Sequence, residues 1–260
     1  MNRIADAFDN KRAFIAYIMA GDPSLEASAR FILAAQEGGA DMVEIGIPFS
    51  DPIAEGEVIQ AASSRALDAG TRLDGIFEMV ASLRGRVHIP LLFMTYLNPV
   101  FVFGYERFFA KCAEIGISGV IIPDLPFEEQ GEVKVVACEH KIEIVTLVAP
   151  TSSKRIAAIA SKAEGFIYLV SSLGVTGVRS KITSDLEVIT SELRKHTSLP
   201  IAIGFGISTE EQAAYYAALG DGVIVGSAIV QIIEEHKANA SDYVKDYVAR
   251  MKGSLSTNCV

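Results

Sequence analysis

FIAYIMAGDPSLEASARFILAAQEGGADMVEI, residues 14–45, holds a complete strand–helix–strand unit. Phe14–Met19 is near-continuously apolar, as a strand buried on both faces of a parallel sheet must be. Leu25–Glu37 carries the helical pattern, opened near Pro23 or Ser24 and closed by Gly38 and Gly39. Met42–Ile45 then resumes the strand pattern. Runs of the same kind recur at Leu91–Tyr96, Val120–Ile122, Ile142–Val148, Phe166–Val170, Ile201–Ile203 and Val223–Val225, making eight.

Helical patterns fill the gaps: Val58–Asp68, Leu73–Arg84, Tyr105–Glu114, Phe127–Glu139, Ser153–Lys162, Asp185–Lys195 and Ala228–Glu235, with Ser241–Lys252 as a final helix. Thr151 and Ser152 are candidate caps for one of them. Ser208-Thr209-Glu210-Glu211 reads as a capping box for a helix ending at Leu219, before Gly220. Eight strand–helix units at nearly even spacing predict an α/β protein, a (β/α)8 TIM barrel, over a doubly wound open sheet. Gly70 separates two helices between the second and third strands, so the barrel carries extra helices. No Pro/Ser/Gly-rich linker divides the chain, and residues 1–260 read as a single TIM-barrel domain.

The chain has 260 residues, half of them hydrophobic, which excludes disorder and supplies a large core. A net charge of −9 argues against nucleic-acid or anionic-membrane partners, because both require a basic surface. The three cysteines, Cys112, Cys138 and Cys259, are too few and too scattered for a disulfide framework or a zinc site. Cys112 and Cys138 read as small hydrophobes packed on helices. Asp6, Asp9, Lys11 and Arg12 interrupt the apolar run a signal peptide needs, and no stretch approaches a membrane span. The expectation is a soluble cytoplasmic protein.

In a barrel, chemistry gathers at the C-terminal strand ends. Glu44 lies inside an apolar strand, where a carboxylate is costly unless it is paired or used. The loop after it, IPFSDPIAEGE, supplies Asp51, Glu55 and Glu57. Two carboxylates in different environments can hold different protonation states, which acid–base catalysis requires. A satisfied polar core residue is the plainer reading of Glu44. Three glycine-rich turns follow late strands: Gly174-Val175-Thr176-Gly177, Gly204-Phe205-Gly206 and Gly226-Ser227. Loops after strands seven and eight with a helix N-terminus suit a phosphate, through backbone amides and the helix dipole. The plainer reading is three tight turns. Tyr17, Met94, Tyr96, Tyr168 and Phe205 can wall a flat substrate. His88, His140, His196 and His236 fall near helix ends, away from this face, so neither a histidine metal site nor a triad is expected.

Several segments together resemble the tryptophan synthase alpha subunit family over essentially the whole length. They are AYIMAGDP (16–23), EIGIPFSDPIAEG (44–56), MTYLNPV (94–100), IIPDLPFEE (121–129), LVAPTS (147–152), GFIYLVSSLGVTGVR (165–179), IGFGIS (203–208) and DGVIVGSAIV (221–230). The resemblance implies retro-aldol cleavage of indole-3-glycerol phosphate to indole and glyceraldehyde 3-phosphate, with no cofactor in this chain. It implies Glu44 and Glu55 as catalytic residues. Tyr17, Met94, Tyr96, Ile121, Tyr168, Thr176 and Phe205 would bind substrate, with Asp124 near the ring. Gly177, Gly206, Gly226 and Ser227 would bind the phosphate. It further implies a pyridoxal-phosphate beta subunit, an α2β2 tetramer and passage of indole between subunits. The loops 48–58, 98–101 and 174–184 would face that partner. Three positions depart from the family: Glu55 stands for an aspartate, Glu57 for a frequent proline and Tyr17 for a frequent phenylalanine. A mainly regulatory subunit and a phosphoribosyl isomerase barrel are the alternatives. Against the isomerase, strand one ends in Gly21-Asp22 and strand five in Ala149-Pro150, without that family's paired catalytic residues.

Overall fold

The computed structural model describes residues 3–9, 11–149, 155–170, 179–204 and 206–255. Eight parallel strands close into a barrel in chain order: β1 (Ala13–Met19), β2 (Met42–Gly46), β3 (Leu91–Met94), β4 (Gly119–Ile121), β5 (Glu143–Val148), β6 (Glu164–Val170), β7 (Ile201–Gly204) and β8 (Gly222–Val225). β8 pairs back onto β1, so no edge remains. Side chains alternate across each strand. Ile15, Tyr17, Met94, Phe166, Tyr168 and Ile224 fill the lumen. Phe14, Ile18, Val43, Ile45 and Phe93 pack outward beneath the helices, as do Ile167, Leu169 and Ile203. Both faces are therefore apolar, which is why the strands read as continuous runs rather than alternating ones.

Among the described residues the helices are α1 (Leu25–Glu37), α2 (Glu57–Asp68), α3 (Leu73–Ser82), α4 (Leu97–Phe103), α5 (Tyr105–Ile115), α6 (Gly131–Glu139), α7 (Ile156–Lys162), α8 (Arg179–Arg194), α9 (Glu210–Leu219), α10 (Ser227–His236) and α11 (Ser241–Leu255). Ser24 caps α1, accepting the Ala27 N–H at 3.1 Å. A short 3-10 turn, Ile4–Phe8, closes the N-terminal end of the barrel. Ile4 and Ala7 are buried there, and the Phe8 ring lies 5.6 Å from Phe166.

Several sequence expectations shift. The capping box of α9 is Thr209 with Gln212, one residue later than read; Thr209 rather than Ser208 holds the extended N-cap geometry. β3 stops at Met94, and LNPVFVF, expected as loop, forms α4. Pro99 fits there because a first-turn N–H has no intrahelical partner to lose. Phe127–Glu139 divides into a 3-10 turn, Phe127–Glu129, and α6. α8 begins at Arg179, ahead of Asp185. Cys112 is buried as expected, but Cys138 is exposed, because it lies on the outer side of α6. Thr151, Ser152, Thr176, Gly177, Phe205 and Cys259 lie outside the described residues. No described helix is long and apolar enough to cross a membrane.

Candidate active site

Strand register sets Tyr17 of β1 opposite Glu44 of β2, and Glu44 opposite Leu92 of β3. Glu44 is 1% exposed. Neither of its carboxyl oxygens has a hydrogen-bond partner among the described residues. A charge buried without partners is strongly disfavoured. Burial, reinforced by the Glu55 carboxylate, pushes the Glu44 carboxyl up to about 8. Glu44 therefore carries a proton at neutral pH.

Glu55 comes from the loop between β2 and α2, and that loop is pinned at several points. Ser63 of α2 takes the Phe49 N–H at 2.8 Å and returns its hydroxyl to the Phe49 carbonyl at 2.9 Å. Gln60 donates to the Glu55 carbonyl at 2.7 Å. Tyr96, just beyond β3, accepts N–H bonds from Ile53 and Ala54, both at 3.0 Å, and donates its hydroxyl to the Glu55 carboxylate. Burial holds the Glu55 carboxyl above its ordinary value, and the Tyr96 bond pulls it only part of the way back. The two acids thus differ in their surroundings: Glu44 has no hydrogen-bond partner among the described residues, and Glu55 is hydrogen-bonded.

Tyr17 and Tyr168 flank Glu44 from β1 and β6. Burial first, and the neighbouring carboxylates second, hold both phenols well above their ordinary range, so both stay neutral. Two glycines make room for these rings. A Cβ on Gly46 would lie 2.1 Å from the Tyr17 hydroxyl, and one on Gly204 would lie 2.7 Å from the Tyr168 ring.

On the opposite wall are Gly206, Gly226 and Ser227. Gly206 adopts φ +74°, which favours glycine. Gly226 is the N-cap of α10 and Ser227 its first residue, so the positive end of a ten-residue helix faces the cavity. The cavity is lined by Tyr17, Glu44, Glu55, Met94, Tyr168, Gly206, Gly226 and Ser227. The described wall also includes Ile59, Ile207 and Ile224, which the sequence reading missed. Strand parity could have found Ile224, two residues before Gly226; nothing local marks Ile59 on α2. Two sequence candidates stand behind the wall. Ile121 packs within the barrel, and Tyr96 reaches the cavity only through Glu55. Asp124 accepts the Leu97 N–H at 2.9 Å and thereby fixes the start of α4.

Arg65 of α2 joins the two halves of the site. Its guanidinium grips the buried Asp22, after β1, at 2.7 and 3.0 Å, and reaches Glu234 of α10 at 2.8 Å. At the same mouth Ile53, Phe101 and Val102 are 77%, 67% and 76% exposed. His140, His196 and His236 lie at or beyond the C-terminal ends of α6, α8 and α10, at the other end of the barrel. No group of metal-ligating side chains occurs among the described residues.

A closed parallel barrel with two carboxylates at its C-terminal mouth, facing a glycine-lined helix N-terminus, defines a (β/α)8 barrel with its cavity at the strand ends where this fold carries its sites. Residues 4–257 match the family described as tryptophan synthase alpha chain. The alpha chain of Lactiplantibacillus plantarum is 48% identical over 256 residues, covering 98% of this chain and 97% of that one. That of Lacticaseibacillus casei is 44% identical over 252 residues, covering 97% and 95%. The crystal structure of the alpha subunit from Legionella pneumophila superposes with a TM-score of 0.89 at 35% identity, covering 98% of each chain. A structure described as the basis of mutual activation of the tryptophan synthase α2β2 complex from Pyrococcus furiosus gives 0.84 at 34% identity, covering 94% of this chain and 98% of that one. The chain belongs to the tryptophan synthase alpha chain family.

Proposed function

We propose that this chain cleaves indole-3-glycerol phosphate to indole and glyceraldehyde 3-phosphate. The observation that carries the reading is the contrast between the two acids that line one cavity: Glu44 buried with no hydrogen-bond partner among the described residues, Glu55 hydrogen-bonded to Tyr96. The retro-aldol reaction needs that division. Glu44 delivers its proton to the ring carbon bearing the glycerol chain, while Glu55 takes up the ring N–H proton. Glu44, now a carboxylate, removes the proton from the neighbouring hydroxyl. The carbon–carbon bond breaks, its electron pair enters the ring, and the nitrogen recovers its proton from Glu55. Protons balance, and Glu44 ends as it began. Positioned acid–base groups of this kind are worth roughly 10²–10⁴ in rate.

Gly206, Gly226 and Ser227 would receive the phosphate, with Gly177 completing the cradle. Tyr17, Met94 and Tyr168 would hold the indole ring, with Ile121 behind it, and the family resemblance adds Phe205 to the substrate-binding set. Thr176 would meet the Glu55 loop when the site closes and excludes water.

The exposed Ile53, Phe101 and Val102 support a docking surface for a beta subunit, the pyridoxal-phosphate component of an α2β2 assembly, which would take up the indole. The Pyrococcus furiosus relative is described in such a complex. The test is indole release by the purified chain, alone and with a beta subunit. The chain contains no tryptophan, so indole fluorescence stands out from the protein. Slow release that rises with beta supports the lyase. No release in either condition, with beta still activated, would leave a regulator.

A further inference from the structure

Tyr96 uses every hydrogen-bonding position of its hydroxyl. A phenol has one proton and two lone pairs. The Ile53 and Ala54 amides occupy the acceptor side, both at 3.0 Å. The single proton goes to the Glu55 carboxylate. The ring cannot turn to relax this arrangement, because it stacks on Phe49 at 5.1 Å and the residue is 2% exposed. With its acceptor side filled from the backbone, the hydroxyl can only donate to Glu55, and a donor stabilises an ionised carboxylate more than a protonated one.

We propose that Tyr96 is a positioning residue which, wired to the Ile53 and Ala54 amides, aims the Glu55 carboxyl at the cavity that Glu44 also lines. The inference rests on the lyase reading only for its rate prediction. The groups facing Glu55 make such a donor necessary. Glu44 of β2 and the phenols of Tyr17 and Tyr168 share its cavity, and Asp124 approaches from the loop after β4. Asp124 is another acid, and Glu57 opens α2 just beyond the loop. None of these groups supplies a counter-charge. A glutamate in this setting reverts toward its protonated form when its donor is removed.

The experiment compares the unmodified full chain with Tyr96→Phe, Glu55→Gln and the double variant. The Glu55 carboxyl is titrated by carbon-13 NMR of labelled glutamate, its resonance assigned by its absence from Glu55→Gln. In Tyr96→Phe the titration is expected to move to higher pH. The acidic limb of kcat/KM for indole release, measured with a beta subunit, moves with it. kcat/KM near neutral pH falls about tenfold, as loss of one hydrogen bond to a charged group predicts. In the Glu55→Gln background the same substitution costs less than about twofold, because coupled residues are not additive. Site-specific 3-fluorotyrosine at position 96, a stronger donor of nearly the same shape, moves the titration the opposite way and serves where Tyr96→Phe fails to fold. An unmoved titration in folded Tyr96→Phe, or an equal loss in both backgrounds, overturns the proposal. A chain that releases no indole at all defeats the lyase reading, while the titration still decides the role of Tyr96.

Discussion

Replacing Glu44 with glutamine should make the protein less sensitive to pH. The folded carboxyl titrates at about 8 against an ordinary 4.5. Between those values the folded state holds a proton that the unfolded state has lost. Stability therefore falls as pH rises through that window, and below it nothing is lost. Each pH unit inside the window costs about 1.4 kcal/mol. From about pH 5 to about pH 7 the unmodified chain gives up on the order of 2.5 kcal/mol at this one side chain. Glutamine has the shape of the protonated acid and no charge to lose. For a chain of this size, about 2–4 °C per kcal/mol turns that difference into a gap in melting temperature that widens by about 5–10 °C across the interval. The assay is a pair of thermal melts at each pH, one with Glu44 and one with Glu44→Gln. Any constant offset reflects the amide itself, so the change with pH is the diagnostic. A gap that stays the same from pH 5 to pH 7 would mean that Glu44 is not held protonated by burial, and the proton inventory proposed for the reaction would fall with it. Indole release by the same variant should drop by roughly 10²–10⁴.

Other substitutions probe the frame around the acids. Gly206→Ala meets nothing within 4 Å, so its cost is backbone strain at φ +74°; about 1–2 kcal/mol is expected, read as a higher KM for the phosphate-bearing substrate. Gly204→Ala drives a Cβ into the Tyr168 ring at 2.7 Å; kcat should fall and stability should drop by about 1–3 kcal/mol in a urea titration. Arg65→Met strands the buried Asp22 carboxylate, which should cost about 3–5 kcal/mol in the same titration. Phe101→Asp, at a side chain 67% exposed, should leave the melting temperature of the isolated chain nearly unchanged, within about ±0.5 kcal/mol. Binding to a beta subunit, followed by calorimetry, should weaken; unchanged binding would place the partner elsewhere.

The strands were legible because a sheet buried on both faces leaves a one-dimensional record, an apolar run a few residues long. Helix starts were legible where a side chain caps locally, as Ser24 does for α1. α4 was not, because its sequence, LNPVFVF, carries a proline and no capping side chain; Tyr96 at its N-cap makes no cap bond, and Asp124 reaches it from another loop. Cys138 was misplaced for a similar reason: composition favours burial, and only the packing of α6 decides which side faces solvent.

The sequence by itself determined the barrel, the carboxylate on the second strand and the glycine turns at its mouth, because each is written in neighbouring residues. Glu44 stood out as a charge inside an apolar strand, and Gly226-Ser227 as a turn running into a helix. The tertiary structure alone decided the surroundings of the pair. Glu44 meets no hydrogen-bond partner among the described residues across the closed lumen, and Glu55 meets a tyrosine hydroxyl from beyond the third strand. Those are distances between residues far apart in the chain, and a local pattern holds no record of them.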